Sequence, residues 1–377
     1  MISKRKRIIF TLIVLSFPVF IVFLGFELTL RIKAAGAKST EARRIVDPVL
    51  GWRPTPNLVR EGVSIDAMGQ KSAFRMTQNE HGFRLWGDPA TKKPRVLVIG
   101  DSYTQSDDID DQKTYFARLA ERLPQADFWA FGCSGYGTYQ QLLIIQKNQP
   151  VIRPDVLLLQ LSSNDVVNNL AELEDCMPFL TTPAPRPFLQ NDGSVIFSMA
   201  QRHRGLAGYS RAIASLSDRV DSILLKEEEW VPGKIRKHTI RFKSSDFDQI
   251  LDRAIIKTAD LLRQIKATVG PDTQVIAFYD EDVEILTSAL KQACLLAGLN
   301  LIDDAGKAIC EEEGRRGCFY YRTRDFWHWN DAGHAMVASA LEPFVKIALD
   351  SSGKDPSSPV NQPEKLAVET QKTNIKK

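Results

Sequence analysis

Five short apolar runs alternate with amphipathic stretches from residue 95 onward, and that alternation constrains the fold more than any other feature. Residues 95–100, 127–131, 154–161, 274–279 and 299–302 read as strands. The first and third, with Val96, Leu97, Val98 and Ile99 and then Val156, Leu157, Leu158 and Leu159, are apolar without a break. An uninterrupted run of that length is expected of a strand buried on both faces. Residues 114–123 carry Tyr115, Phe116, Leu119 and Leu123 at helical spacing. Residues 138–149, 246–268, 283–296 and 331–349 read as further helices. Strands alternating with helices predict an α/β domain with three layers, α/β/α, around a central parallel five-stranded sheet.

The flanks are different. Residues 8–26 carry no charge and follow Lys4, Arg5, Lys6 and Arg7. A helix of that length rises about 28 Å, close to the ~30 Å of a bilayer core. Residues 1–30 are therefore expected to be a basic stub and a single-pass transmembrane anchor. The positive-inside rule puts the N-terminus in the cytoplasm and the rest of the chain in the periplasm or outside the cell. A cleaved signal peptide ending near Ala34, Ala35, Gly36 and Ala37 is the rival, but the apolar run exceeds the about 7–15 residues usual for such a segment. Residues 31–90 read as a juxtamembrane segment and a loop-rich lead-in, and 91–350 as the main domain. Residues 177–245, with Pro178, Pro183, Pro185 and Pro187, read as an insertion in that domain. Residues 351–377 are polar and read as a disordered tail.

Charge and cysteines exclude other classes. Lys plus Arg number 49 against 46 Asp plus Glu, a net +3, so a nucleic-acid partner is not expected. The five cysteines contain no CxxC pair, which argues against a zinc ribbon. Cys310 and Cys318, with Gly314 and Gly317 between them, are expected to form a disulfide. Cys133 and Cys176 are a second possible pair, which leaves Cys294 as a thiol.

Four turns carry groups able to do chemistry. Gly100-Asp101-Ser102 follows the first strand and can present a hydroxyl at the sheet's carboxyl end. Gly132, Gly135 and Gly137 follow the second and can point backbone N–H groups into a site. Their spacing misses that of a dinucleotide loop. Ser162-Ser163-Asn164-Asp165 follows the third, where an Asn amide can donate to an oxyanion. Asp325-Phe326-Trp327-His328 precedes the last helix, where His328 can act as base and Asp325 can orient it. Each has a structural alternative: Ser102, Asn164 or Asp165 as a helix cap, the glycines as an ordinary turn, His334 in place of His328 as base. His81, His203 and His238 have no acidic partner at comparable spacing.

Taken together and in this order, the four blocks resemble those of the SGNH, or GDSL-type, hydrolase family. The resemblance covers about residues 47–350 without most of 177–245. The segments around Tyr136 to Gln140, His328 to His334, Gly51-Trp52 and Gly82-Phe83-Arg84 are similar to a bacterial membrane-anchored branch. Two positions depart from the pattern: Ser162 stands where Gly is usual, and Ala130 where Asn is common. The Asp-x-x-His spacing also separates the chain from the alginate-acetylation relatives.

The resemblance implies a flavodoxin-like fold and a serine esterase. It makes Ser102 the nucleophile, His328 the general base and Asp325 its orienting carboxylate. The oxyanion hole would comprise the N–H groups of Ser102 and Gly135 and the side chain of Asn164. Asp101 and Asp165 would brace the loops. Neither a metal nor an organic cofactor is expected. Envelope location and family together suggest an ester substrate of carbohydrate O-acetyl type. An O-acetyltransferase acting on an envelope glycan is the first alternative. A non-catalytic binding protein on the same scaffold is the second, and the retention of all five reacting positions speaks against it. Nothing in the sequence specifies a protein partner.

Overall fold

The structure, a computed structural model, describes residues 4–36, 43–177, 184–199, 210–213, 215–216, 232, 246–279 and 284–352. It begins with a helix, α1 (Lys4–Gly36), and two antiparallel pairs. These are β1 (Arg44–Asp47) with β2 (Gly51–Pro54), and β3 (Val59–Ile65) with β4 (Lys71–Thr77). The alternating part runs β5 (Arg95–Gly100), α2 (Ser102–Gln105), α3 (Tyr115–Arg122), β6 (Asp127–Gly132), α4 (Thr138–Ile152), β7 (Val156–Leu161), α5 (Ser163–Val167) and α6 (Ala171–Cys176). A hairpin, β8 (Arg186–Leu189) and β9 (Val195–Ser198), precedes α7 (Phe247–Val269), β10 (Gln274–Tyr279) and α8 (Glu284–Leu296). The chain closes with β11 (Leu301–Ile302), α9 (Asp304–Arg316) and α10 (Asp331–Ser352).

The five expected strands form one parallel sheet in the order β11-β10-β7-β5-β6. Their unbroken apolar runs have a direct cause. Leu97, Ile99, Leu157 and Leu159 point to one face, where α4, α7 and α8 cover them. Val96, Val98, Val156 and Leu158 point to the other, under α3, α9 and α10. Side chains alternate along a strand, so a strand covered on both faces is apolar on both, save where a buried partner is at hand: Gln160 in β7 accepts with Oε1 from Asp101 N–H at 2.9 Å. The strand β5 lies between β6 and β7, so the chain turns to opposite sides of it. Open α/β sheets bind ligands beside such a reversal, outside the carboxyl ends of the strands.

The strand expected at 299–302 shortens to Leu301–Ile302, and the helix α9 after it was not foreseen. No disulfide joins Cys310 to Cys318: all five cysteines are thiols. Cys310 lies in α9, which runs on to Arg316, and six residues of helix rise about 9 Å. Cys318 follows the left-handed Gly317 that ends this helix, so the helix separates the two thiols along its axis. The residues expected to form the anchor lie in α1, but the side chains of residues 4–13 are outside the described ones. Among the described residues, no helix is long and apolar enough to cross a membrane. The tail beyond Ser352, His203, His238 and most of 177–245 also lie outside the described residues.

Candidate active site

Ser102 stands at the carboxyl end of β5 as the first residue of α2. It is not the helix cap. That role falls to Asp101, whose Oδ1 accepts from Tyr103 N–H at 3.0 Å. The Ser102 hydroxyl is thus left for another partner, and His328 Nε2 lies 2.9 Å from it. His328 Nδ1 lies 2.5 Å from Asp325 Oδ2. Three residues from two turns far apart in the sequence therefore form one hydrogen-bonded chain. His334, the competing base, is buried and elsewhere engaged: its Nδ1 accepts from Tyr115 N–H at 3.2 Å. Burial, with Arg84 and Arg118 nearby, pulls its imidazole down to about 3.

The His loop is built around Asp325. Its Oδ1 accepts from Thr323 Oγ1 at 2.7 Å, Trp327 N–H at 2.8 Å and His328 N–H at 3.0 Å. Burial works to raise this carboxyl, but the bonds from His328, Thr323 and Trp327 outweigh it and hold it well below the usual carboxylate range. Phe326, between Asp325 and Trp327, takes a left-handed backbone at φ 62°, which is uncommon for a bulky residue. That turn brings the His328 N–H back onto the Asp325 carboxylate. Arg322, buried, anchors the loop by donating Nη1 to the Trp327 carbonyl at 2.7 Å and Nε to Glu313 at 3.3 Å. Tyr103 Oη donates to the same carbonyl at 3.1 Å.

The glycine loop after β6 faces the same end of the sheet. A Cβ on Gly132 would fall on the backbone of Gln105, so the loop and α2 are in close contact. Gly135 takes φ +78°, a conformation L side chains rarely adopt. Among the described residues, no acceptor is bonded to the N–H of Ser102 or of Gly135. Ser162 Oγ links the third turn to the first, donating to Asp101 Oδ2 at 2.7 Å with Asn164 Oδ1 at 2.5 Å. Asn164 Nδ2 donates to the Tyr136 carbonyl at 3.0 Å, which uses one of its two N–H groups. Asp165 accepts from Ser162 N–H at 2.8 Å and Thr138 Oγ1 at 2.9 Å. Burial and the nearby Asp101 push its carboxyl well up. Asp101 and Asp165 thus brace loops through bonds to backbone and hydroxyls.

A cleft of about 250 Å³ opens on Ser102, His328, Asp325 and Ser134. Arg43, Arg44, Gln105 and Asp107 extend its polar wall, while Gly135 and Asn164 are not among the residues that line it. Among the described residues, no group of His, Cys, Asp or Glu is arranged to hold a metal ion.

Sequence reasoning missed the supports from the lead-in and from the expected insertion. Arg84 donates to the Ser106 and Ile109 carbonyls at 2.8 and 3.1 Å and pairs with Asp111 at 2.9 Å, holding the loop after α2. The β3–β4 hairpin meets the His loop where Arg324 N–H donates to the Ile65 carbonyl at 3.0 Å. Arg186, buried in β8, donates Nη1 to the Gly135 carbonyl at 2.6 Å and Nε to Glu174 at 3.2 Å. The segment Gly51-Trp52 and the arginine of Gly82-Phe83-Arg84 were the available signals, but their spacing from the four blocks carries no contact information.

No curated protein matches the chain. Among solved structures, TesA is 12% identical and matches 67% of this chain and 99% of its own, with a TM-score of 0.37. The acetyl xylan esterase AlAXEase is 14% identical over 67% of this chain and 99% of its own, also with a TM-score of 0.37. The psychrotrophic esterase EstA from Pseudoalteromonas sp. is 10% identical over 68% and 100%, with a TM-score of 0.38. Residues 98–336, which contain all four blocks, match the GDSL-like lipase/acylhydrolase family. With a parallel sheet, a Ser–His–Asp chain at its carboxyl end and a family match over more than half its length, the protein belongs to the GDSL-like lipases and acylhydrolases and is a hydrolase of ester bonds.

Proposed function

We propose that this chain is a membrane-anchored serine esterase that removes a short acyl group, acetyl in the first place, from a carbohydrate hydroxyl. The observation that carries the chemistry is the chain from Ser102 Oγ through His328 to Asp325, with steps of 2.9 and 2.5 Å. Ser102 Oγ attacks the ester carbonyl while His328 Nε2 takes its proton. Asp325, ionised throughout, holds Nδ1–H and stabilises the imidazolium. The tetrahedral oxyanion lies against the N–H groups of Ser102 and Gly135 and the second N–H of Asn164. Each such donor contributes about 2.7–4 kcal/mol in comparable sites. His328 then returns the proton to the departing sugar oxygen, and water releases the acyl group by the same steps in reverse order.

The polar wall of the cleft supports a polar alcohol and a short acyl group, since a long acyl chain would need an apolar trough. The uncharged run at 8–26 supports the anchor. So does the exposure of Phe17, Phe20, Ile21 and Val22 on α1, which water alone would disfavour. In this reading the basic stub is cytoplasmic and the hydrolase domain periplasmic or extracellular.

The test is turnover of p-nitrophenyl acetate and acetylated xylo-oligosaccharides by the wild type and Ser102→Ala, with fluorophosphonate labelling of both. Turnover and labelling that vanish in Ser102→Ala are the expected result. Hydrolysis by Ser102→Ala at the wild-type rate would overturn the assignment. Acetyl transfer to an added glycan in preference to water would replace the hydrolase with a transferase. Protease protection of the stub alone in sealed vesicles tests the topology.

A further inference from the structure

The peptide between Ser134 and Gly135 is gripped by side chains from far outside the family match. Trp52 Nε1 donates to the Ser134 carbonyl at 3.1 Å, and Arg44 Nη1 donates to the same oxygen at 3.0 Å. On the preceding peptide, between Cys133 and Ser134, Gln105 Oε1 accepts from Ser134 N–H at 2.5 Å. In a trans peptide the carbonyl and the next N–H point in opposite directions across a rigid plane. Bonds that fix the Ser134 C=O therefore also fix the direction of the Gly135 N–H.

The loop needs such fixing. Gly135 is the residue least restricted by its own sterics, and it sits at φ +78°. Left alone, its N–H would sample several directions. The Trp52 side supplies a rigid counterpart: the indole is buried and packs edge-on against Tyr136 with ring centroids 5.8 Å apart. Tyr136 Oη donates back to the Trp52 carbonyl at 2.7 Å. Loop and β2 are thus bonded in both directions.

We propose that Trp52, assisted by Arg44, is a positioning residue for the oxyanion donor: by holding the Ser134 carbonyl it aims the Gly135 N–H at the reacting carbonyl. The proposal rests on the reading of Gly135 as a donor. It makes the β1–β2 pair, which lies outside residues 98–336, a working part of the catalytic centre. The contribution belongs to the transition state, because the donor is needed most when charge has moved onto the oxygen.

The experiment compares Trp52→Phe, Arg44→Met and Ser102→Ala in the full-length chain. It measures kcat and KM on p-nitrophenyl acetate, the inhibition constant of phenylboronic acid, which forms a tetrahedral anion on a serine, and Tm. Trp52→Phe keeps an aromatic ring while removing the N–H donor together with part of the indole's buried volume, and Tm reads the packing loss separately. We expect kcat to fall about 10- to 100-fold with KM within about twofold, and boronate affinity to weaken in parallel. Arg44→Met, in which Trp52 still holds the carbonyl, should lower kcat only a few-fold. Wild-type kcat and boronate affinity in Trp52→Phe, with Ser102→Ala inactive, would overturn the clamp alone. An active Ser102→Ala would overturn the underlying reading instead. If Trp52→Phe does not fold, Arg44→Met decides: an unchanged kcat, or a raised KM alone, refutes the role.

Discussion

The two loops that meet at Ser102 are supported in the same way but encoded differently. Each rests on a buried arginine paired with a buried glutamate, Arg322 with Glu313 under the His loop and Arg186 with Glu174 under the glycine loop. Each arginine also donates to a carbonyl of its loop, Trp327 at 2.7 Å and Gly135 at 2.6 Å. Beyond that the loops diverge. The His loop is closed largely by its own residues: Thr323, Trp327 and His328 all bond Asp325. The glycine loop has no such side chains, and its carbonyls are held by Arg44, Trp52 and Arg186. A loop rich in glycine exposes backbone donors to a ligand but cannot stiffen itself, so distant parts of the chain must do it.

The largest effects should come from breaking the His loop's own chain. His328→Ala is expected to lower kcat by a factor on the order of 10⁶, and Asp325→Ala by about 10⁴, with the double variant no worse than His328→Ala. Steady-state rates on p-nitrophenyl acetate check this. His334→Ala should reduce kcat far less, and a loss as deep as that of His328→Ala would mean that the base has been misassigned.

Next in size are the paired arginines. Arg322→Met and Arg186→Met each leave a buried carboxylate alone and should each cost about 3–5 kcal/mol of stability, read from urea unfolding. Replacing both partners, as in Arg186→Met with Glu174→Leu, should recover most of that loss, because an apolar pair needs no mutual neutralisation. Activity should not recover with it, since the Gly135 carbonyl still lacks its donor. Full recovery of kcat in that double variant would break the parallel between the loops.

A smaller effect is expected with pH. The His334 imidazole has an ordinary value of 6.5 and is pulled down to about 3 in the fold. Between these values the unfolded chain binds the extra proton and the folded one does not, so stability falls as pH drops through that window. His334→Asn should flatten the slope of the urea midpoint between about pH 6.5 and 3. A slope as steep as that of the wild type would assign the acid sensitivity to other groups.

The smallest expected effect is none. Reductant should leave Tm and kcat unchanged, and the intact mass should correspond to five thiols. Burial pushes the Cys294 thiol up to about 12 and the Cys133 thiol higher still, which keeps both in the unreactive protonated form. A mass two hydrogens lighter in the native protein would restore a disulfide.

Much of this protein is written locally. The strands β5, β6, β7 and β10 are readable because a parallel strand covered on both sides is apolar along nearly its whole length, as Val96 through Ile99 are. Ser102 and the Asp325–His328 pair, which the fold brings into one hydrogen-bonded chain, stand out in the sequence because such chemistry needs particular residue types within a few positions of a strand end or of each other. The roles of Trp52, Arg44, Arg186 and Arg322 are not local. A tryptophan on a short strand and an arginine among prolines look like ordinary packing and surface charge until the chain folds. Only the tertiary structure sets the Trp52 indole N–H against a carbonyl 82 residues away, or Arg186 against one 51 residues away. The physical reason is that residue type determines what a group can donate or accept, while the partner it meets is chosen by the packing of the whole chain.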